Sequence, residues 1–470
     1  MNALHLPNAE FRSLAARVTD IAADLLAGLD DMRAFPPVRA EQVARAFGAP
    51  LPEEGLRAGA LDALAEVLAL SRAPTPRFYG YVLGSGEPVA ALADLLASIL
   101  NQNVTAWRSA PAAVTIERQI VCGLADALGC QGFSGSLCGG GSMANLMGLA
   151  MAREAQLPAN ESGAQPGVVY ASSEVHMSIP KAMALLGLGR ENLRLIGTDE
   201  GYRLDPQALR TAIAADRGAG RKPLAVVATS GTVNTGAIDP LSDIAAVCRE
   251  QQLWLHVDGA YGALAALAIP EQFTGLSAAD SLSLDPHKWL YQPLDCGMLL
   301  FRSAPAARTA FSFTGDYAKS LAQDPLEAFA FFDESLELSR RFRALKLWLS
   351  LRYHGLAAFR SAIRTDLRHA QNLAGLIRGT QTLELLAPVE LSAVCFRYRH
   401  DEPGAAGDRL NAAILKRVIE RGRVYLSNAT LRGRFALRAC FVNHRTTDHD
   451  VSEIVPEVLQ AAREVLSGCS

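Results

Sequence analysis

The 470-residue chain has no run of clustered lysine and arginine, and its net charge is −3. Binding along a phosphate backbone needs such clusters, so nucleic acid is excluded as the main partner and a small molecule becomes the expected ligand. The chain also lacks any stretch of about 18 uncharged apolar residues, the length a membrane-crossing helix requires, and no membrane partner is expected. Its opening residues, MNALHLPNAEFRSLAARVTD, put polar and charged groups where a signal peptide would need an unbroken apolar core. The eight cysteines include no CxxC pair and no zinc-like spacing, so they read as reduced thiols of a cytoplasmic protein with no metal site. The chain is too long for one small core, and two or three domains are expected.

What is present changes texture along the chain. Residues 10–70 carry apolar positions at helical spacing, as in Leu14, Val18, Ile21 and Leu25, interrupted by FPPV at 35–38. Two further helical stretches follow, PVAALADLLASILNQNV and APAAVTIERQIVCGLADALG. Between 167 and 302 short β-branched runs alternate with helical ones: GVVYASS, LRLIGT, LAVVATSG, LWLHVDGA, SLSLDPH and GMLLF. Near-continuous apolar strands of this kind predict a mainly parallel sheet covered on both faces, with ligands beyond the carboxyl ends of the strands. Thr229, Asp258 and the pair His287–Lys288 all fall at such ends. A long helix from about 340 and several antiparallel-looking segments predict a smaller α+β unit at the C-terminus.

Three segments carry candidate chemistry. In CGGGSMAN, glycines precede a serine and an amphipathic helix, which leaves helix N-terminal N–H groups open to an anion such as phosphate. Taken alone, this segment reads equally well as a flexible loop with a serine N-cap. Gly139, Gly141 and Ala144 also satisfy a dinucleotide fingerprint, although no acidic residue ends the next strand to hold a ribose. In HVDGAYGA, Asp258 is followed by small residues that let a flat group approach; it reads as a turn cap, as a metal ligand with His256, or as a carboxylate against a heterocyclic nitrogen. In DPHKW, Lys288 closes the set. An amine for a Schiff base, a carboxylate for a pyridinium nitrogen and N–H donors for a phosphate are what pyridoxal phosphate requires.

The order GGGSMAN, YASSEVHMSIPKA, VVATSGTVNTGAIDP, LWLHVDGAYGA, SLSLDPHKWLYQPLDCGMLLF and RRFRALKLW resembles the group II pyridoxal-phosphate-dependent amino-acid decarboxylases, the family of aromatic-L-amino-acid and glutamate decarboxylases. The resemblance runs from PRFYGYVLGSGEP at 76 to NHRTTDHD at 443. It implies an α/β fold of fold-type I, like aspartate aminotransferase, with a large, mainly parallel seven-stranded sheet domain. The expected division is a helical N-terminal dimerisation segment over 1–85, a large cofactor-binding domain over 86–352 and a small α+β domain over 353–470.

By the same resemblance, Lys288 would form the Schiff base with pyridoxal 5'-phosphate, Asp258 would bind the pyridine nitrogen, and His176 would stack on the ring with Ala260 opposite. Gly141 and Ser142 would hold the phosphate with His287. Thr229 would line the pocket, and Asp285, also in the cofactor-binding set, would fix the loop backbone. Tyr317, in TGDYAKS, would return a proton to the substrate carbon. The implied reaction is decarboxylation of an L-amino acid by a homodimer, with an aromatic substrate favoured. Tyr81, Val82, Asn103 and Thr105 are the expected substrate-pocket residues, the last two reaching the partner subunit's pocket. Their polarity keeps an acidic amino acid of the glutamate, aspartate or cysteine-sulfinate type as an alternative, and an aldehyde synthase or aminotransferase on the same fold as another.

Overall fold

The computed structural model describes residues 4–313, 324–399 and 404–468. Among these, seven strands form one sheet in the order β1-β7-β6-β5-β4-β2-β3: β1 Ser134–Cys138, β2 Val168–Ser172, β3 Leu193–Ile196, β4 Pro223–Thr229, β5 Trp254–Asp258, β6 Ser281–Leu284 and β7 Gly297–Phe301. β7 alone runs against the rest, pairing antiparallel with β1 and β6, so the sheet is mainly parallel. Five of the six runs named from composition fall within helix-covered parallel strands, and GMLLF is the reversed one. β1 escaped the sequence pattern because SGSLC has little β-branched or aromatic character.

Both faces of the sheet are buried, as parallel strands require. Alternate residues serve opposite layers: Val226 and Ala228 join the core that contains Leu124 and Ile244, whereas Ala225 and Val227 join the one containing Met147 and Met151. The helix Gly141–Gln156 supplies much of the second layer, burying Met147, Leu149 and Met151 among others.

The helix Pro88–Leu100 starts where Glu87 accepts the N–H groups of Val89 and Ala90 at 2.8 Å and proline occupies the first turn. The long helix Arg343–Arg378 is broken at Gly355, which has φ 73°. Its first half packs Ala344 and Leu347 onto the large sheet's core, and its second half packs Ala370, Leu373 and Ile377 onto a separate core. That core belongs to a four-stranded antiparallel sheet in the order β10-β11-β9-β8, with β8 Leu383–Leu385, β9 Ala393–Tyr398, β10 Ser427–Leu431 and β11 Arg434–Cys440.

The N-terminal segment is helical over Asn8–Gly28, Ala40–Phe47 and Leu64–Leu70. Residues 75–83 are irregular and tied to the small sheet: Tyr79 N–H donates to the Tyr425 carbonyl and Cys440 N–H to the Tyr79 carbonyl, both at 2.9 Å. Among the described residues, no helix is long and apolar enough to cross a membrane.

Candidate active site

The strand ends converge as parallel topology dictates. Thr229 and Asp258 are the last residues of β4 and β5 and lie side by side in register. β6 ends at Leu284, and proline at 286 starts the short helix Pro286–Trp289 that carries His287 and Lys288. The structure brings Gly141, Ser142, His176, Thr229, Asp258, Ala260, Asp285, His287 and Lys288 to one cavity of about 280 Å³.

Opposite the strand ends, the helix Gly141–Gln156 begins without a side-chain cap. Its N-cap, Gly140, has φ 131°, a conformation that side-chain-bearing residues rarely adopt. The Gly140 carbonyl accepts the N–H groups of Met143 and Ala144 at 2.9 and 3.0 Å. The N–H groups of the first helical turn are thus set against the cavity, where an anion would meet them and the positive end of the helix dipole.

The lysine is no surface charge. Its Nζ lies 2.9 Å from Asp285 Oδ2, one turn back, and its side chain is only 19% exposed. The same carboxylate oxygen is 3.4 Å from His287 Nε2. The N–H of Cys296 donates to His287 Nδ1 at 3.2 Å, so a neutral His287 carries its proton on Nε2, facing Asp285. Burial, the largest cause, holds His176 and His287 below the usual imidazole range despite nearby carboxylates.

Asp258, almost fully buried, accepts from Asn145 Nδ2 at 3.0 Å, Ser283 Oγ at 3.1 Å and the Ala260 N–H at 3.2 Å. A carboxylate held by three donors at a strand end is oriented toward whatever fills the cavity. His256 is not a metal ligand beside it: its ring nitrogens face Ser281 Oγ at 2.8 Å and Asn145 Oδ1 at 2.9 Å.

Pyridoxal phosphate fits these residues. Thr229 Oγ1 and Asp285 Oδ1 line the cavity, are buried and have no hydrogen-bond partner in the protein, which marks polar positions kept for a ligand. The amine, the carboxylate, the open helix terminus and the unpaired oxygens match the groups the cofactor presents.

The substrate-pocket expectations divide. Val82 lines the cavity together with Val233, Leu294 and Tyr261, none of which the sequence pattern singled out. Tyr81 is 58% exposed, with its hydroxyl 3.1 Å from that of Tyr425. Asn103 and Thr105 are not brought to this chain's cavity: Asn103 Oδ1 accepts the Arg340 N–H at 2.8 Å, and the Thr105 carbonyl accepts the Phe331 N–H at 2.8 Å. Tyr317 lies outside the described residues. Trp289 is fully buried and stacks parallel to Tyr261 at 6.1 Å, a packing role. Sequence reasoning also missed Asn145 and Ser283. Their signal was available in part: Asn145 sits one turn after Gly141, and the alternation SLSLD puts Ser281 and Ser283 on one face of β6.

A family model described as the pyridoxal-dependent decarboxylase conserved domain matches residues 63–399. An aromatic-L-amino-acid decarboxylase of Bacillus atrophaeus is 36% identical over 395 residues, covering 83% of this chain and 82% of that protein. A tyrosine decarboxylase of Oryza sativa is 32% identical, covering 99% of this chain and 93% of its own length. Among solved structures, that of Oryza sativa TDC with PLP and tryptamine superposes with a TM-score of 0.91 at 29% identity, covering 99% of both chains.

Proposed function

The chain belongs to the pyridoxal-dependent decarboxylase family, and from that premise we propose that it converts an aromatic L-amino acid to the amine and carbon dioxide. It is a pyridoxal-phosphate-dependent carboxy-lyase of amino acids. The observation that carries the proposal is the meeting of Lys288, Asp258 and an uncapped helix N-terminus on one cavity at the strand ends.

When bound, pyridoxal phosphate supplies an electron sink for the pair released as the α-carboxylate leaves. In this reading the chain's own residues set the geometry. Lys288 would provide the amine that holds the cofactor. Asp258, fixed by Asn145, Ser283 and the Ala260 N–H, holds a proton on the ring nitrogen. Gly141, Ser142 and His287 would hold the phosphate, Thr229 and Asp285 would offer their unpaired oxygens, and His176 and Ala260 would pack on the ring. Tyr317 returns a proton to the α-carbon.

The aromatic substrate is supported by the named relatives and by the wall of Val82, Val233 and Leu294. Among the described lining residues, Lys288 is the only lysine or arginine, so an acidic side chain finds no spare counter-charge among them. The test is carbon dioxide release from the cofactor-loaded enzyme across a panel of amino acids. Preference for tyrosine, tryptophan or phenylalanine supports the reading, and preference for glutamate, aspartate or cysteine sulfinate overturns it.

The active form in this proposal is a cytoplasmic homodimer. Leu92, Leu95, Leu96, Ile99 and Leu100 lie 46–55% exposed along the helix Pro88–Leu100, and the helix Asn8–Gly28 buries no residue within its own chain. Apolar surface of that extent suits pairing with a second copy. The seven described cysteines are free thiols, which suits a reducing compartment.

A further inference from the structure

We propose that Asn145 is a positioning residue at the fork of a one-way hydrogen-bond relay, running from Trp254 through Ser281 and His256, which together with the Ser178 backbone N–H holds the His176 proton on Nε2. The proposal rests on the reading that Asp258 and His176 face the cofactor, and it adds what holds their protons in place.

The direction of the relay follows from donors and acceptors alone. The indole N–H of Trp254 can only donate, and it meets Ser281 Oγ at 2.9 Å. Ser281 has one proton of its own, and its other side-chain partner is His256 Nδ1 at 2.8 Å. If His256 also donated to Ser281, the hydroxyl proton would be stranded in a fully buried site. Nδ1 therefore accepts. Burial pushes His256 down to about 4, so the ring is neutral and its single proton sits on Nε2, from which it donates to Asn145 Oδ1 at 2.9 Å.

With its carbonyl engaged, Asn145 has only its NH2 group to turn the other way. Nδ2 donates to Asp258 Oδ2 at 3.0 Å and to Ser178 Oγ at 2.9 Å. Ser178 Oγ, which accepts from Asn145, uses its own hydroxyl hydrogen to donate to His176 Nδ1 at 2.8 Å, which also accepts the Ser178 N–H at 3.2 Å. His176 Nδ1 is thereby filled twice with donors, and its proton belongs on Nε2. The two ends agree independently. The relay starts at a group that can only donate and ends, on its other branch, at a carboxylate that accepts.

The surroundings are built for this chain of contacts. Asn145, Ser178, His256 and Ser281 are each at most 3% exposed, so water does not substitute for a missing link. Gly148, on the helix that carries Asn145, makes room for the ring: a Cβ there would lie 2.5 Å from His256 Cε1 and Nδ1. In consequence His176 has a donor rather than a lone pair at Nε2, and Asp258 always faces an N–H, never the Asn145 carbonyl.

The experiment is nitrogen-15 NMR of the full-length protein labelled at histidine, with cofactor bound and after its removal; His176→Asn and His256→Gln assign the two signals. The expected result is the Nε2–H tautomer for both rings. An Nδ1–H tautomer at either ring overturns the proposal. Ser281→Ala should move His256 away from the pure Nε2–H pattern and raise the cofactor dissociation constant about tenfold, whereas Ser281→Thr, which keeps the hydroxyl, restores both. Unchanged tautomers and affinity in Ser281→Ala would remove the relay. If that variant does not fold, the wild-type tautomers still decide. Because tautomers are read without turnover, failure of the relay is distinguishable from failure of the decarboxylase reading.

Discussion

The helix Pro88–Leu100 is almost entirely apolar, yet it buries only Ala90, Ala93 and Ala97 and leaves its leucines half exposed. The helix Gly141–Gln156, with glycines, an arginine and a glutamate, buries ten of its residues. The difference is one of neighbours. Small residues in the second helix let it lie close on the sheet, whereas the first turns its large side chains away from its own chain. Burying one such leucine completely contributes about 2 kcal/mol, so four of them with Ile99 on one short helix form a surface of the kind that holds subunits together. The cavity at the second helix draws its described lining from a single chain, while the surface at the first is the one proposed to pair with another copy.

The largest expected effect separates the two regions. Lys288→Ala should lower turnover by roughly three orders of magnitude or more and abolish the visible absorption of lysine-bound cofactor, while sedimentation still reports the wild-type assembly. Residual turnover near wild type would refute the role of Lys288. Next, Leu95→Glu combined with Leu96→Glu puts charge into the apolar face, and the dimer dissociation constant should rise by about a hundredfold or more. An unchanged sedimentation profile would mean that this face is not the interface.

A smaller effect is expected at Tyr317. Tyr317→Phe should reduce amine formation about tenfold and raise aldehyde, measured together in one reaction; an unaltered product ratio would remove Tyr317 from proton return. The smallest concerns stability away from both regions. His444, whose Nδ1 lies 2.7 Å from Ser85 Oγ, is pushed down to about 4, chiefly by burial. Between about 6.5 and 4 the unfolded chain takes up a proton at this site that the folded chain refuses, so its contribution to stability falls as pH falls. His444→Gln should therefore flatten the acid side of the melting profile by on the order of 2 °C, and an identical slope would show that the ring does not titrate with unfolding.

Much of the catalytic edge was legible because its logic is local. Asp258 and Lys288 each follow an apolar run by position, and the glycines before Ser142 mark a helix start. The relay beneath them was not legible. His256 beside Asp258 left a metal reading open, though no third ligand lay near in sequence, until Asn145, 111 residues earlier, and Ser281, 25 residues later, occupied its two nitrogens. Asn103 shows the same limit: its polarity suggested contact with a partner subunit's substrate, and within its own chain its carbonyl oxygen meets a backbone N–H 237 residues away. β1 was missed because its place in the sheet comes from pairing with β7, not from its composition.

By itself the sequence determined the class of fold, the cofactor chemistry and the residues proposed to meet it, since periodicity and strand-end position are properties of neighbours along the chain. Tertiary structure alone decided which polar atoms were already bonded and which, like Thr229 Oγ1 and Asp285 Oδ1, were left open. The physical reason is that a buried hydrogen bond has to be satisfied by whatever lies across the fold, and distance along a chain carries no record of that.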